Sequence, residues 1–370
     1  MSAETGTALP ALTRRALVRR TLSLALAAPV AGVALDALGA APASAIPTGG
    51  PPWAPVPPAG YAGFPTIPDT GLLVEELGHG VFAINDGGYS MMVAVHRTGV
   101  IVVDAPVSFG DRLLEAIRLI SNKPITHVVY SHAHVDHTGG AYRYPKSACY
   151  VAHEETRFLL ERARDSRRPV PTRSFTGRRR HTLAVGGQVL HLDYYGANHQ
   201  VGELFIYAPR ARALMHVDLV FPGWAPLKNL AIAADVPGFV QALDTTLRYT
   251  FDHVVAGHFR LGTRDDVELT RAYMRDLIAA AAEANNTVDT AAAEAAAMEQ
   301  NPGNVWAAVD ANFDAVAQRT VELMPDRWLS ELGAADVFLL DNAFVVSESQ
   351  RVDGDPLVGS HLLRDWRGTI

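Results

Sequence analysis

From about Thr70 the chain reads as short apolar runs broken by turns, switching between the two-residue period of strands and the longer period of helices. Val81-Phe82-Ala83-Ile84 and residues 91–95 and 99–104 are rich in aliphatic and β-branched side chains, and they predict strands. Residues 111–121 place Leu113, Leu114, Ile117 and Ile120 at helical spacing and predict an amphipathic helix. A strand over residues 125–130 follows. The theme returns in the second half. A strand is expected at 148–152 and a helix at 154–163, then strands at 188–194, 204–208, 213–216 and 253–256. Strand and helix alternating in two halves predict an α/β protein in which two sheets pack together with helices outside.

Beyond Asp265 the pattern becomes alanine-rich helix (279–282 and 291–298), then a further helix at 305–323, a short β-like run at 337–340 and a polar tail. These helices are expected to lean on the core. At the other end, Arg14-Arg15 and Arg19-Arg20 precede an apolar run over 22–35, and Ala43-Ser44-Ala45 supplies small residues for cleavage. That order is a secretory signal peptide, and the paired arginines resemble a twin-arginine signal. The apolar run is short for a membrane anchor and is interrupted by Pro29 and Asp36. The division expected is therefore a signal peptide over 1–45, a proline-rich leader over 46–69, a catalytic domain over 70–265 and a helical extension with tail over 266–370. The export machinery is an expected partner and the place of action is outside the cytoplasmic membrane, without stable membrane insertion.

Composition narrows the chemistry. The 370 residues are 48% hydrophobic, ample for a large core, and the net charge of −7 offers no electrostatic footprint for nucleic acid. Arg178-Arg179-Arg180 reads as a solvated loop. The single cysteine, Cys149, excludes an intramolecular disulfide or a cysteine-rich zinc site, and its strand-like surroundings predict a buried structural thiol.

The chemistry concentrates in Ser131-His132-Ala133-His134-Val135-Asp136-His137-Thr138-Gly139-Gly140, which follows a strand directly. In an extended segment His132 and His134 share side-chain parity and point to one side. The turn beyond can bring Asp136 and His137 to a second point nearby. Neutral imidazole with carboxylate suits borderline divalent ions, zinc above all. Further donors stand at strand ends downstream: His199 in a glycine-flanked turn, Asp218 after residues 213–216, and His258 after Val254-Val255-Ala256-Gly257.

With Asp104 after its strand, His132-x-His134-x-Asp136-His137, His199, Asp218 and His258 in order, the chain resembles the metallo-β-lactamase-fold hydrolase superfamily over roughly residues 70–265. The resemblance implies a four-layer αββα sandwich with metals at one edge of the sheets. It implies that His132, His134 and His199 hold one metal ion, that Asp136, His137 and His258 hold a second, and that Asp218 bridges both. Asp104 would steady the ligand loop without binding metal. Two divalent cations, zinc foremost, would make water a nucleophile near neutral pH, with Asp136 as the proton shuttle.

Asp218 discriminates among the superfamily's activities. True β-lactamases generally replace that aspartate, whereas lactonases, glyoxalase-II-like thioesterases and many esterases keep it. A lactone or ester hydrolase acting on a small molecule is the first expectation, with β-lactamase or thioesterase as the alternative. A mononuclear-iron persulfide dioxygenase using His132, His199 and Asp218, and a non-catalytic metal-binding protein, rank below it. Phe221 and Trp224, just after Asp218, are candidates to wall the substrate site. Tyr194 and Tyr195 are candidates to donate to an oxyanion, and residues 164–181 form either a lid or a plain surface loop.

Overall fold

The structure is a computed structural model that describes residues 64–354 apart from Arg179. The expected signal peptide, most of the expected leader and the end of the chain's tail lie outside the described residues. Seven strands make the first sheet: β1 (Leu73–Gly78), β2 (Val81–Asn85), β3 (Ser90–His96), β4 (Gly99–Val103), β5 (Ile125–Val129), β6 (Cys149–His153) and β7 (Arg173–Phe175), neighbours in sequence order. The first four pair antiparallel through hairpins. From β4 to β7 the pairing is parallel, because α1 (Arg112–Ile120), the ligand loop with the single turn α2 (Val135–Thr138), and α3 (Glu154–Ala163) serve as crossovers.

The second sheet holds β8 (Arg180–Val185), β9 (Gln188–Asp193), β10 (Phe205–Ala208), β11 (Ala213–Met215) and β12 (His253–Val255) in the order β12-β11-β10-β9-β8. Gly186 and Gly187, at φ +56° and +94°, make the two-residue turn between β8 and β9, where both positions need a left-handed backbone.

Strand alternation sorts the core. Ile101 and Val103 of β4 face Leu192, Ile206 and Met215 across the two sheets. Val100 and Val102 point the other way, onto Leu113 and Ile117 of α1 and Leu160 of α3. On the outer face of the second sheet, Phe205, Leu214 and Val254 pack against Phe239 and Leu243 of α4 (Val236–Thr246) and Tyr273 and Leu277 of α5 (Arg264–Thr287). Helix, sheet, sheet and helix therefore stack in four layers, as expected. Strands buried on both faces read as continuous apolar runs, which is why they were visible in sequence.

Past α5 come α6 (Thr290–Gln300), α7 (Val305–Leu323), α8 (Trp328–Glu331) and α9 (Ala335–Asp353). Ala343 and Val346 of α9 join the same outer core, so the extension does lean on it. Residues 337–340 are not a strand but the start of α9. A short unbroken apolar run carries no period of its own, and the helix is decided by its continuation to Val346. Residues 164–181 hold β7 and the start of β8. Arg180, expected in a solvated loop, opens β8 and pairs with Asp193 at 2.9 Å. Cys149 is half-buried at the start of β6 rather than fully buried. Phe64, in the described part of the leader, packs edge-on against Trp224 with ring centroids 5.2 Å apart.

Candidate metal centre

All the candidate ligands stand at the carboxyl ends of strands or in the loops that follow them. β5 ends at Val129, and the chain then turns through His132 and His134 into α2, which carries Asp136 and His137. Asp104 follows β4 in a left-handed backbone (φ +66°) and its Oδ1 accepts the Ser131 N–H at 2.8 Å, pinning the start of the ligand loop. Asp218 follows β11, also left-handed (φ +57°), and His258 follows β12. Aspartate tolerates this region better than most residues, and such backbones concentrate at functional sites.

Two groups of donors form. His132, His134, His199 and Asp218 offer atoms within 4.8 Å of one another, and Asp136, His137 and His258 make the second group. Asp218 faces both. Its Oδ2 lies 3.1 Å from His199 Nε2 and 3.5 Å from His132 Nε2; its Oδ1 lies 2.8 Å from His258 Nε2 and 3.2 Å from His137 Nε2. His134 Nδ1 stands 2.9 Å from His199 Nε2, and Asp136 Oδ2 stands 3.6 Å from His137 Nε2. Outer contacts orient two of the rings. His258 Nδ1 donates to the Gly88 carbonyl at 3.1 Å and His132 Nδ1 meets Ser131 Oγ at 2.8 Å, leaving each Nε2 for the centre.

The residues fit a cation. His132 Nε2 is buried without a hydrogen-bond partner, and it converges with the Nε2 atoms of His137, His199 and His258 on one buried carboxylate, a crowding of ligand atoms that a cation between them would satisfy. Burial, with His137 beside it, holds His132 well below the ordinary imidazole pKa. Burial and His199 bring His134 down to about 4. Burial works against the Asp218 carboxylate, yet His137 and His199 hold it well below the usual range. Neutral imidazoles and an ionised carboxylate are the ligand forms. His137 goes the other way: burial lowers it, but Asp218 and then Asp136 outweigh that and carry it up to about 9.

A cavity of about 570 Å³ opens over the two groups. Phe221 lines it, but the other three expected substrate contacts do not. Trp224 packs beside Phe64 and Phe259. The Tyr194 hydroxyl donates to Glu155, and the Tyr195 hydroxyl meets that of Tyr249 at 3.0 Å. The two tyrosines follow β9, where alternation turns one between the sheets and the other onto Phe205. Tyr89 was missed. It lines the cavity, its ring sits 4.6 Å from that of His258, and its hydroxyl donates to Asp136 Oδ2 at 3.3 Å. The Asp86-Gly87-Gly88 turn before it was the available signal. Phe338 of α9 also lines the cavity and carried no sequence signal.

The Metallo-beta-lactamase superfamily profile matches residues 84–258, from β2 to His258. The chain is 31% identical over 229 residues to the 2,4-dinitroanisole O-demethylase subunit alpha of Nocardioides sp. (strain JS1661), covering 59% of this chain and 69% of that protein. The chain belongs to the metallo-beta-lactamase superfamily. Among solved structures, it is similar to a metallo-beta-lactamase from Pontibacter korlensis at 23% identity, covering 55% of this chain and 99% of that one with a TM-score of 0.45. It is similar to the DIM-1 metallo-beta-lactamase at 20% identity, covering 56% and 97% with a TM-score of 0.46. All seven candidate donors lie within the superfamily match, and α5–α9 lie beyond it.

Proposed function

We propose that this superfamily member is an exported hydrolase that holds two divalent cations, zinc foremost, and uses water to cleave an ester or lactone bond of a small molecule. The observation that carries this is the division of the Asp218 carboxylate, one oxygen toward each donor group. His132, His134 and His199 with Oδ2 would hold one ion; Asp136, His137 and His258 with Oδ1 would hold the other. Cations bound there supply Lewis acidity and bring the pKa of water toward neutrality.

The chain's own groups do the rest. Asp136 is partly exposed to the cavity, with 42% of its side chain accessible, and can take the proton lost by the attacking water. Tyr89 holds that carboxylate through its hydroxyl. Burial, then the carboxylates of Asp136 and Asp218, push the phenol pKa upward, so Tyr89 remains a donor. Asp104 holds the ligand loop in place through Ser131.

The Nocardioides relative, named for removing a methyl group from a nitroaromatic ether, favours a second reading: cleavage of an activated aryl methyl ether on the same centre. Metal analysis with a panel of lactones, aryl esters, thioesters, cephalosporins and methoxy-nitroarenes, run with and without chelator, tests these together. Close to two zinc per chain and chelator-sensitive ester or lactone turnover are expected; one iron with oxygen consumption would overturn the reading. Export is tested by fractionation after both arginine pairs, Arg14-Arg15 and Arg19-Arg20, are changed to lysine, which should retain the protein inside.

A further inference from the structure

One stretch of the cavity wall is built in an unusual way. At the turn Lys228–Ile232, Asn229, Leu230, Ala231 and Ile232 all have positive φ, between 51° and 57°. Consecutive left-handed residues other than glycine are sterically disfavoured and persist only where their surroundings hold them. Here the holder is α9. The Leu230 N–H donates to Asn342 Oδ1 at 2.8 Å, and Asn342 Nδ2 donates to the Pro226 carbonyl at 2.8 Å. Asn342 is fully buried, and next to it Asp341 pairs with Lys228 at 3.1 Å. Four residues before Asn342 on the same helical face, Phe338 lines the cavity itself.

The surface so made is apolar. Val135, Phe221, Leu227, Ala231, Ile232 and Phe338 line the cavity beside the metal donors. Ile232 is 67% exposed and Val135 38%, apolar side chains left open at the edge of a site otherwise built from histidine and carboxylate. Lone exposed aliphatics are ordinary, but a set converging on one cavity marks where an apolar group binds.

We propose that the Lys228–Ile232 turn and Phe338 form the recognition wall for an aryl or alkyl group of the substrate, with Asn342 as the positioning residue that holds the turn. This rests on the hydrolase reading above and deepens it: the scissile bond sits over Asp218 and the apolar arm lies along α9. The helical extension, outside the superfamily match, then contributes to specificity through Phe338 and Asn342.

The test is direct binding of benzohydroxamate and acetohydroxamate to the zinc-loaded full chain by calorimetry, alongside hydrolysis of p-nitrophenyl acetate, butyrate and octanoate. Wild type should bind benzohydroxamate more tightly. Phe338→Ala and Ile232→Ala, both at sites that are not fully buried, should each weaken benzohydroxamate about tenfold and leave acetohydroxamate unchanged, as loss of an apolar contact predicts. Asn342→Asp, which keeps the acceptor but loses the amide donor, should raise KM for the longer esters while leaving kcat per bound zinc nearly unchanged. Equal affinity for the two hydroxamates in wild type, or equal losses in the variants, overturns the wall. If wild type hydrolyses neither these esters nor the lactones of the panel above yet keeps the aryl preference, the hydrolase reading fails and the wall stands.

Discussion

Asp218 Oδ1 stands 2.8 Å from His258 Nε2 while its other oxygen faces His199, so one carboxylate is shared by two donor groups that come from four different loops. Removing Asp218 and removing His258 should therefore have different consequences. Asp218→Ala should deplete metal from both groups, whereas His258→Ala should lower only its own, bringing the stoichiometry from near two toward one. Elemental analysis of purified protein checks this, and unchanged stoichiometry in His258→Ala would show that His258 is not a ligand.

Asp136 differs from the other donors in its exposure. Its side chain is 42% accessible while His137 beside it is fully buried, so Asp136→Asn should fold normally. Turnover should fall by roughly a hundredfold or more, the usual contribution of a positioned proton acceptor. A steady-state assay showing wild-type rates would remove Asp136 from the mechanism.

Tyr89 touches Asp136 through one hydroxyl, at 3.3 Å. Tyr89→Phe deletes that atom and keeps the ring against His258. A lost hydrogen bond to a charged group at the weak end of its range corresponds to about a tenfold fall in kcat. KM and metal content should hardly move. A change in metal content instead would make Tyr89 a support for the ligands rather than for proton transfer.

Glu203 is fully buried; its Oε2 accepts the Gln200 N–H at 3.1 Å and its Oε1 has no hydrogen-bond partner. Burial, then the charge of Asp218, raises its pKa well above the usual carboxylate value. A raised folded-state pKa means the folded chain holds its proton longer than the unfolded chain. Stability from this group is present below the unfolded pKa of 4.5 and is lost as pH climbs toward the folded one. Glu203→Gln keeps an acceptor and cannot ionise. Its Tm should match wild type near pH 4.5 and exceed it increasingly toward pH 8; a constant difference would mean that Glu203 is ionised in the fold.

Much of the architecture was visible because strands and helices buried on one or both faces carry their pattern in sequence. The helices at Glu154–Ala163 and Val305–Leu323 were read with their observed bounds, and β2 to β6 within a residue or two. β1, β7, β8 and α4 escaped, and the start of α9 reads as a strand. Short β7 depends on pairing with β6, and α9 begins with an apolar run that suits either element.

The sequence alone determined the candidate donors, because imidazole and carboxylate at strand ends are a chemical statement needing no coordinates: His132, His134, Asp136, His137, His199, Asp218 and His258 all follow from it. Tertiary structure decided which of them meet and what else the cavity holds. Tyr194 and Tyr195 lie close to His199 in the chain yet point elsewhere, while Tyr89 and Phe338, distant in sequence, line the cavity over the candidate donors. Side-chain direction and helix docking are set by packing across the whole fold, and no local stretch of residues encodes them.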